Sequence, residues 1–87
     1  MITSLDRARE DEVCQIVNVI HDNSSPMSIE RARQLQELGF IRGEQVVLLR
    51  RTQPGSDPLV VRIGSATFAL RRSEAACIEI ESASSYA

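Results

Sequence analysis

The run LQELGFIRGEQVVLLRR, Leu35 to Arg51, constrains this chain more than any other, because it must stop a helix and start a strand within a few residues. Upstream of it, Ile29, Ala32, Leu35 and Leu38 recur at every third position, which predicts an amphipathic helix over Ile29–Leu38. Downstream, the apolar run closed by paired arginines, Gln45 to Thr52, predicts a strand. Gly39 follows the last helical residue and suits a left-handed helix stop, which glycine adopts without a Cβ penalty. Phe40 then falls where a Schellman ending packs its residue back on Leu35. Gly43 supplies the turn into the strand. A phosphate-binding loop would place its glycines before a helix and add a lysine, and all ten basic residues here are arginine. Both glycines therefore have backbone roles.

Punctuation along the rest of the chain is dense. Thr3 to Glu12 is polar apart from Leu5 and Ala8 and predicts a short helical turn capped by Thr3 or Ser4. Val13–Ile20 reads as a strand, apolar on both sides and hence central or strongly curved. The loop HDNSSP leads into the helix, with either Ser25 as cap and Pro26 at the first position, or Ser28 as cap. QPGSDP forms a loop or broad hairpin. Leu59–Ile63 and Ala66–Leu70 flank Gly64-Ser65, a pair that suits a type II′ hairpin. RSEAA predicts one helical turn capped by Ser73, and Cys77–Glu81 alternates with Ile78 and Ile80 inward. Residues 82–87 read as a frayed tail. The expectation is one domain over 1–87, mainly β with helices: a small barrel of about five antiparallel strands with one amphipathic helix packed on it.

Composition narrows function mainly by exclusion. With a formal charge of -2 and a pI of about 5.3, the chain carries no global field for nucleic acid or an anionic membrane. Its three aromatics, Phe40, Phe68 and Tyr86, make no stacking platform for single strands. The arginine pairs Arg50-Arg51 and Arg71-Arg72 read most simply as solvated strand ends, salt-bridged to Glu79 or Glu81 on a neighbouring strand. No apolar run approaches the ~20 residues that span a bilayer, and the N-terminus lacks a signal-peptide core, so the expected location is cytoplasmic. Cys14 and Cys77 stand far apart in apolar runs and behave as small buried hydrophobes. No nucleophile–base pair or metal cluster is legible, so the chain is not expected to be an enzyme. His21 beside Asp22 is the one candidate metal site, at most weak for Zn or Fe and completed by carboxylates of a second chain. The expected state is accordingly a monomer or a metal-dependent dimer with no required cofactor.

The segments RQLQELGFIRGEQVVLLRR and PGSDPLVVRIGSATFALRRSEAACIEIE together resemble the FeoA family of small bacterial proteins. The matching positions are Leu35, Leu38, Gly39, Phe40 and Gly43, then Asp57, Pro58, Leu70, Arg71, Glu74 and Ala75. The chain departs from the family pattern in lacking an early Pro-Gly and in inserting Ser56 between Gly55 and Asp57. The resemblance implies an SH3-like barrel, also found at the C-terminus of DtxR-type metal-dependent repressors. It also implies a non-enzymatic accessory role in Fe(II) uptake, exerted on the cytoplasmic GTP-binding part of the transporter FeoB. Partner contact is expected on Arg31, Gln34 and Arg42, and in the loop at Pro54, Gly55, Asp57 and Pro58.

Overall fold

The computed structural model describes residues 1–52, 55 and 57–83. Its elements run β1 (Ile2–Ser4), a 3-10 turn (Leu5–Arg7), β2 (Val13–Val19), α1 (Pro26–Leu38), β3 (Gln45–Arg51), β4 (Leu59–Ile63), β5 (Ala66–Leu70), α2 (Arg72–Ala75) and β6 (Ile78–Ser82). The strands form one antiparallel sheet in the order β1-β6-β2-β3-β4-β5. The mainly β class with one packed helix is as the sequence predicts, but there are six strands rather than about five. The sheet is also unclosed: β1 and β5 remain its two edges.

The additional strand is β1. Ile2, Thr3 and Ser4 pair with Glu81, Ile80 and Glu79 of β6, so a partner from the far end of the chain extends them. The helical turn predicted over 3–12 shrinks to Leu5–Arg7, where Ser4 precedes the turn without capping it and donates instead to the Asp6 carboxylate. Asp11 adopts φ +66, a region aspartate tolerates better than most residues, and donates to the Leu48 carbonyl at 2.7 Å. Ser82, predicted to fray, is instead the last residue of β6.

β2 is central, between β6 and β3, and irregular between Ile16 and Asn18; β3 has a similar irregularity between Leu48 and Arg50. Such bulges bend and twist a strand, so the two curve the sheet around its core. Ile16, Leu48, Val61, Ile80 and Phe40 are almost wholly buried in a single cluster, with the Phe40 and Phe68 rings 5.7 Å apart. Cys14 is buried in β2 and Cys77 half-buried before β6; both are free thiols. Burial, and then the Glu12 carboxylate, push the Cys14 thiol above its ordinary pKa.

α1 takes the first of its two predicted starts. Ser25 Oγ accepts from the Ser28 N–H at 3.2 Å, and Pro26 occupies the first turn, where its missing donor costs nothing. Its end is the predicted Schellman geometry: Gly39 at φ +114 donates to Gln36 at 3.0 Å, and Phe40 donates to Leu35 at 3.0 Å. Gly43, at φ +93, sits third in a turn closed by Glu44 N–H donating to the Ile41 carbonyl at 3.1 Å. The Gly43 and Ile16 N–H groups then tie this turn to β2, donating to Ile16 and Glu44 carbonyls at 2.8 and 2.9 Å.

The helix stripe is narrower than predicted. Ala32 and Leu35 are buried, whereas Ile29 and Leu38 are 43% and 46% exposed. A spacing of three falls about 60° short of a full turn at each step, so four such residues fan across half the helix circumference. Only the middle two can face the sheet.

Candidate functional site

Met27, Arg31, Gln34 and Leu38 follow a 4-3-4 spacing, which puts them on one flank of α1, beside the buried face. That flank meets α2. Pro26, Met27, Glu30, Arg31, Gln34 and Glu74 line one shallow hollow between the two helices. Met27 is 77% exposed there, an apolar side chain without cover on a wet surface. Arg33, on the far side of the helix, bridges Glu37 at i,i+4 and, at i,i+3, the same Glu30 that lines the hollow, and these hydrogen bonds raise its pKa while lowering that of Glu30.

The start of α2 is tied down in part by a residue far away in sequence. Ser73, the predicted cap, lies inside the turn; the residue at the cap position is Arg71. An arginine side chain has no acceptor, so it cannot cap the helix N–H groups itself. Glu74 Oε1 accepts from the Arg71 N–H at 2.9 Å, and Asp57 Oδ1 accepts from the Arg72 N–H at 3.1 Å. The Asp57 carboxylate thereby docks the β3–β4 loop onto the start of α2. Thr52 fixes the other side of that loop, its hydroxyl donating to the Pro58 carbonyl at 2.7 Å, and the Asp57–Pro58 bond is cis. Asp57, Pro58, Ala69 and Arg71 line a second hollow.

Two of the three predicted contact regions thus adjoin one another. Arg31 and Gln34 line the first hollow and Asp57 and Pro58 the second, with the first turn of α2 between them through Glu74 and Arg71. Gly55 is exposed in the same loop, and Pro54 lies outside the described residues. Arg42 belongs elsewhere. It sits in the turn before β3, whereas Asp57 follows β3, and the seven residues of that strand span about 20 Å. Met27 is the hollow side chain that sequence reasoning overlooked; its spacing of four and seven from Arg31 and Gln34 was the signal.

The motif positions have local roles. Leu35, Phe40, Leu70 and Ala75 are buried, Leu38 is half-exposed, and Gly39 and Gly43 hold positive φ. The predicted pairing of the arginines with Glu79 or Glu81 on an adjacent strand meets a topological obstacle, because β6 lies beside β1 and β2 rather than β3. Arg51 instead donates to the Ala8 carbonyl at 2.8 Å.

His21 and Asp22 are both exposed. Asp22 serves its own loop: Oδ1 accepts from the Ser24 N–H and hydroxyl at 2.9 and 2.7 Å, and these bonds hold its carboxyl below the usual range. Among the described residues no group of three or more His, Cys, Asp or Glu side chains is placed to hold a metal ion. Nor is any helix long and apolar enough to cross a membrane.

The FeoA domain model matches residues 3–82. The chain belongs to the FeoA family. Solved structures agree with that placement. FeoA of Stenotrophomonas maltophilia is 32% identical, with 91% of this chain and 89% of that one covered at a TM-score of 0.73. That structure was solved with zinc, and the protein is described as an SH3 domain protein and a candidate activating factor of ferrous-iron transport. A FeoA-like protein from Clostridium acetobutylicum is 22% identical, with 94% and 87% covered at a TM-score of 0.77. A manganese-dependent transcriptional repressor shares the fold over 93% of this chain and 41% of its own, at 20% identity and a TM-score of 0.75. No curated protein matches the chain. The unclosed six-stranded sheet is therefore the SH3-like FeoA fold.

Proposed function

We propose that this FeoA protein is a non-enzymatic accessory factor of bacterial Fe(II) uptake, acting in the cytoplasm on the GTP-binding part of a FeoB-type transporter. The contact we assign is the α1–α2 flank, extended by Asp57 and Pro58. The observation that carries the reading is the family match over residues 3–82, joined to the convergence of Arg31, Gln34, Asp57 and Pro58 on the first turn of α2. Exposed Met27 supplies an apolar anchor beside charged and amide groups, the mixture that docking surfaces use. The test is a titration of labelled protein with the transporter's soluble cytosolic part, in the nucleotide-free, GDP and GTP-analogue states. Saturable binding in at least one state is expected. Its absence in all of them, and with the full transporter, refutes the reading.

The zinc complex of the Stenotrophomonas relative favours a second reading, a metal-dependent dimer. Among the described residues one chain brings no third ligand to His21 and Asp22, short of the three or four zinc takes, so carboxylates of a second copy would complete the site. Light scattering with Zn(II) or Fe(II) then reports a mass increase that His21→Ala abolishes. An unchanged mass in the wild type, or an increase that survives His21→Ala, removes this site.

A further inference from the structure

Charge is unevenly spread across the sheet. The adjacent strands β3, β4 and β5 carry Arg50, Arg51 and Arg62 and no Asp or Glu. On the other side of β2, β6 carries Glu79 and Glu81. A chain of net charge -2 thus has a basic half-sheet, and among the described residues that half ends in β5 as an edge strand.

The register defines what this edge offers. A two-residue turn makes its flanking pair, Ile63 and Ala66, exchange both hydrogen bonds, and the alternate pairs Val61–Phe68 and Leu59–Leu70 do the same. The backbone N–H and C=O groups of Thr67 and Ala69 consequently point away from β4, and both residues are exposed. Proteins usually blunt such an edge with a charge, a proline or a bulge. The sequence ATFAL has no charge or proline, and its five pairs with β4 are regular.

Arginines surround the edge. Across the outer face run the rows Val47–Arg62–Thr67 and Arg50–Val60–Ala69. Thr67 is small enough for the long Arg62 side chain to reach past it to a neighbour beyond β5. Arg71 and Arg72 follow the strand directly. The carboxylates at that end, Asp57 and Glu74, accept from the N–H groups of Arg72 and Arg71, while Glu44 lines a hollow with Arg62 at the hairpin-turn end.

We propose that β5 takes up an extended, acidic segment of a partner protein as a further antiparallel or parallel strand, with a carboxylate opposite Thr67 facing Arg62. Backbone pairing supplies affinity and the arginine rows select charge, the division of labour seen in strand addition. A second copy of this chain is the poorer occupant, since β5-to-β5 pairing would join two basic half-sheets. The surface meets the Asp57–Pro58 hollow at Ala69 and Arg71 but not the α1 flank, and the proposal does not depend on the transporter reading.

The test uses the full chain labelled for amide NMR and two short blocked peptides that alternate threonine with glutamate or with lysine. With the glutamate peptide, the Thr67 and Ala69 signals are expected to shift saturably, and Arg62→Glu weakens binding by about tenfold. The lysine peptide leaves those signals in place. Thr67→Pro abolishes the response, because its N–H faces outward and the β4 ladder does not use it; should that variant not fold, the loss of affinity in Arg62→Glu decides the question. Equal response to the lysine peptide, no saturable shift, or shifts that depend on protein concentration without any peptide each overturn the proposal.

Discussion

Phe40→Ala is expected to lower the thermal midpoint by more than about 15 °C, the largest single effect in the molecule. Phe40 is wholly buried and sits where the helix stop meets the sheet core, against the ring of Phe68. Truncating a buried phenylalanine costs about 3 to 5 kcal/mol, from lost transfer free energy and the cavity left behind. A domain of this length has a total stability of roughly 5 to 13 kcal/mol, so the variant keeps only a fraction of it. The cavity would lie under the junction of α1 and β3, held by backbone bonds on both sides, which limits collapse. Phe40→Leu recovers most of the loss. Denaturant and thermal melts on the three proteins check this, and a change below about 1 kcal/mol for the alanine variant would contradict the assignment of Phe40 as core keystone.

The second large effect is at Gly39. Gly39→Ala is expected to cost about 1 to 2 kcal/mol or more, although a Cβ there has room. The built Cβ meets Ile63 Cγ2 at 3.5 Å, an ordinary contact, so crowding is not the cause. The cause is φ +114, which L-residues with a Cβ rarely adopt, and which the two Schellman hydrogen bonds require. Gly39→Asn therefore costs less than Gly39→Ala despite its larger side chain, because asparagine tolerates left-handed backbone better. Chemical unfolding of both variants decides the matter. The reverse order, with asparagine worse, would mean that space governs the position.

These two residues also show what a single sequence could reveal. The helix stop at Gly39, the cap at Ser25 and the hairpin at Gly64-Ser65 were legible, because each depends on residues within one turn of chain. What escaped was set at long range. Three residues from Ile2 to Ser4 have too little pattern to declare a strand, and become one because β6 pairs with them. Asp57 caps α2 from fifteen residues away, a bond that local spacing cannot announce, so it reads from sequence as a loop residue only. The candidate site divides in the same way. Arg31 and Gln34 could be placed on an outer helix face from periodicity. That they share a hollow with Met27 and Glu74 depends on where α2 lands, which long-range contacts set: the Asp57 bond at its start and the burial of Ala75. The overlooked exposure of Leu38 was a counting matter: a stripe at every third residue rotates out of the core before the helix ends.

The most direct measurement compares the affinity of the wild type, Met27→Asp, Arg31→Glu and Arg33→Glu for the cytosolic part of a FeoB-type transporter. Arg33 lies on the same helix as Arg31 but on its opposite face, so it matches the charge change at a side chain outside the hollow, one that reaches it only through the ion pair with Glu30. A contact through the α1–α2 flank predicts that Met27→Asp and Arg31→Glu each weaken binding by about tenfold or more, with Arg33→Glu close to wild type. Equal affinities for all four proteins, or a loss confined to Arg33→Glu, would contradict it.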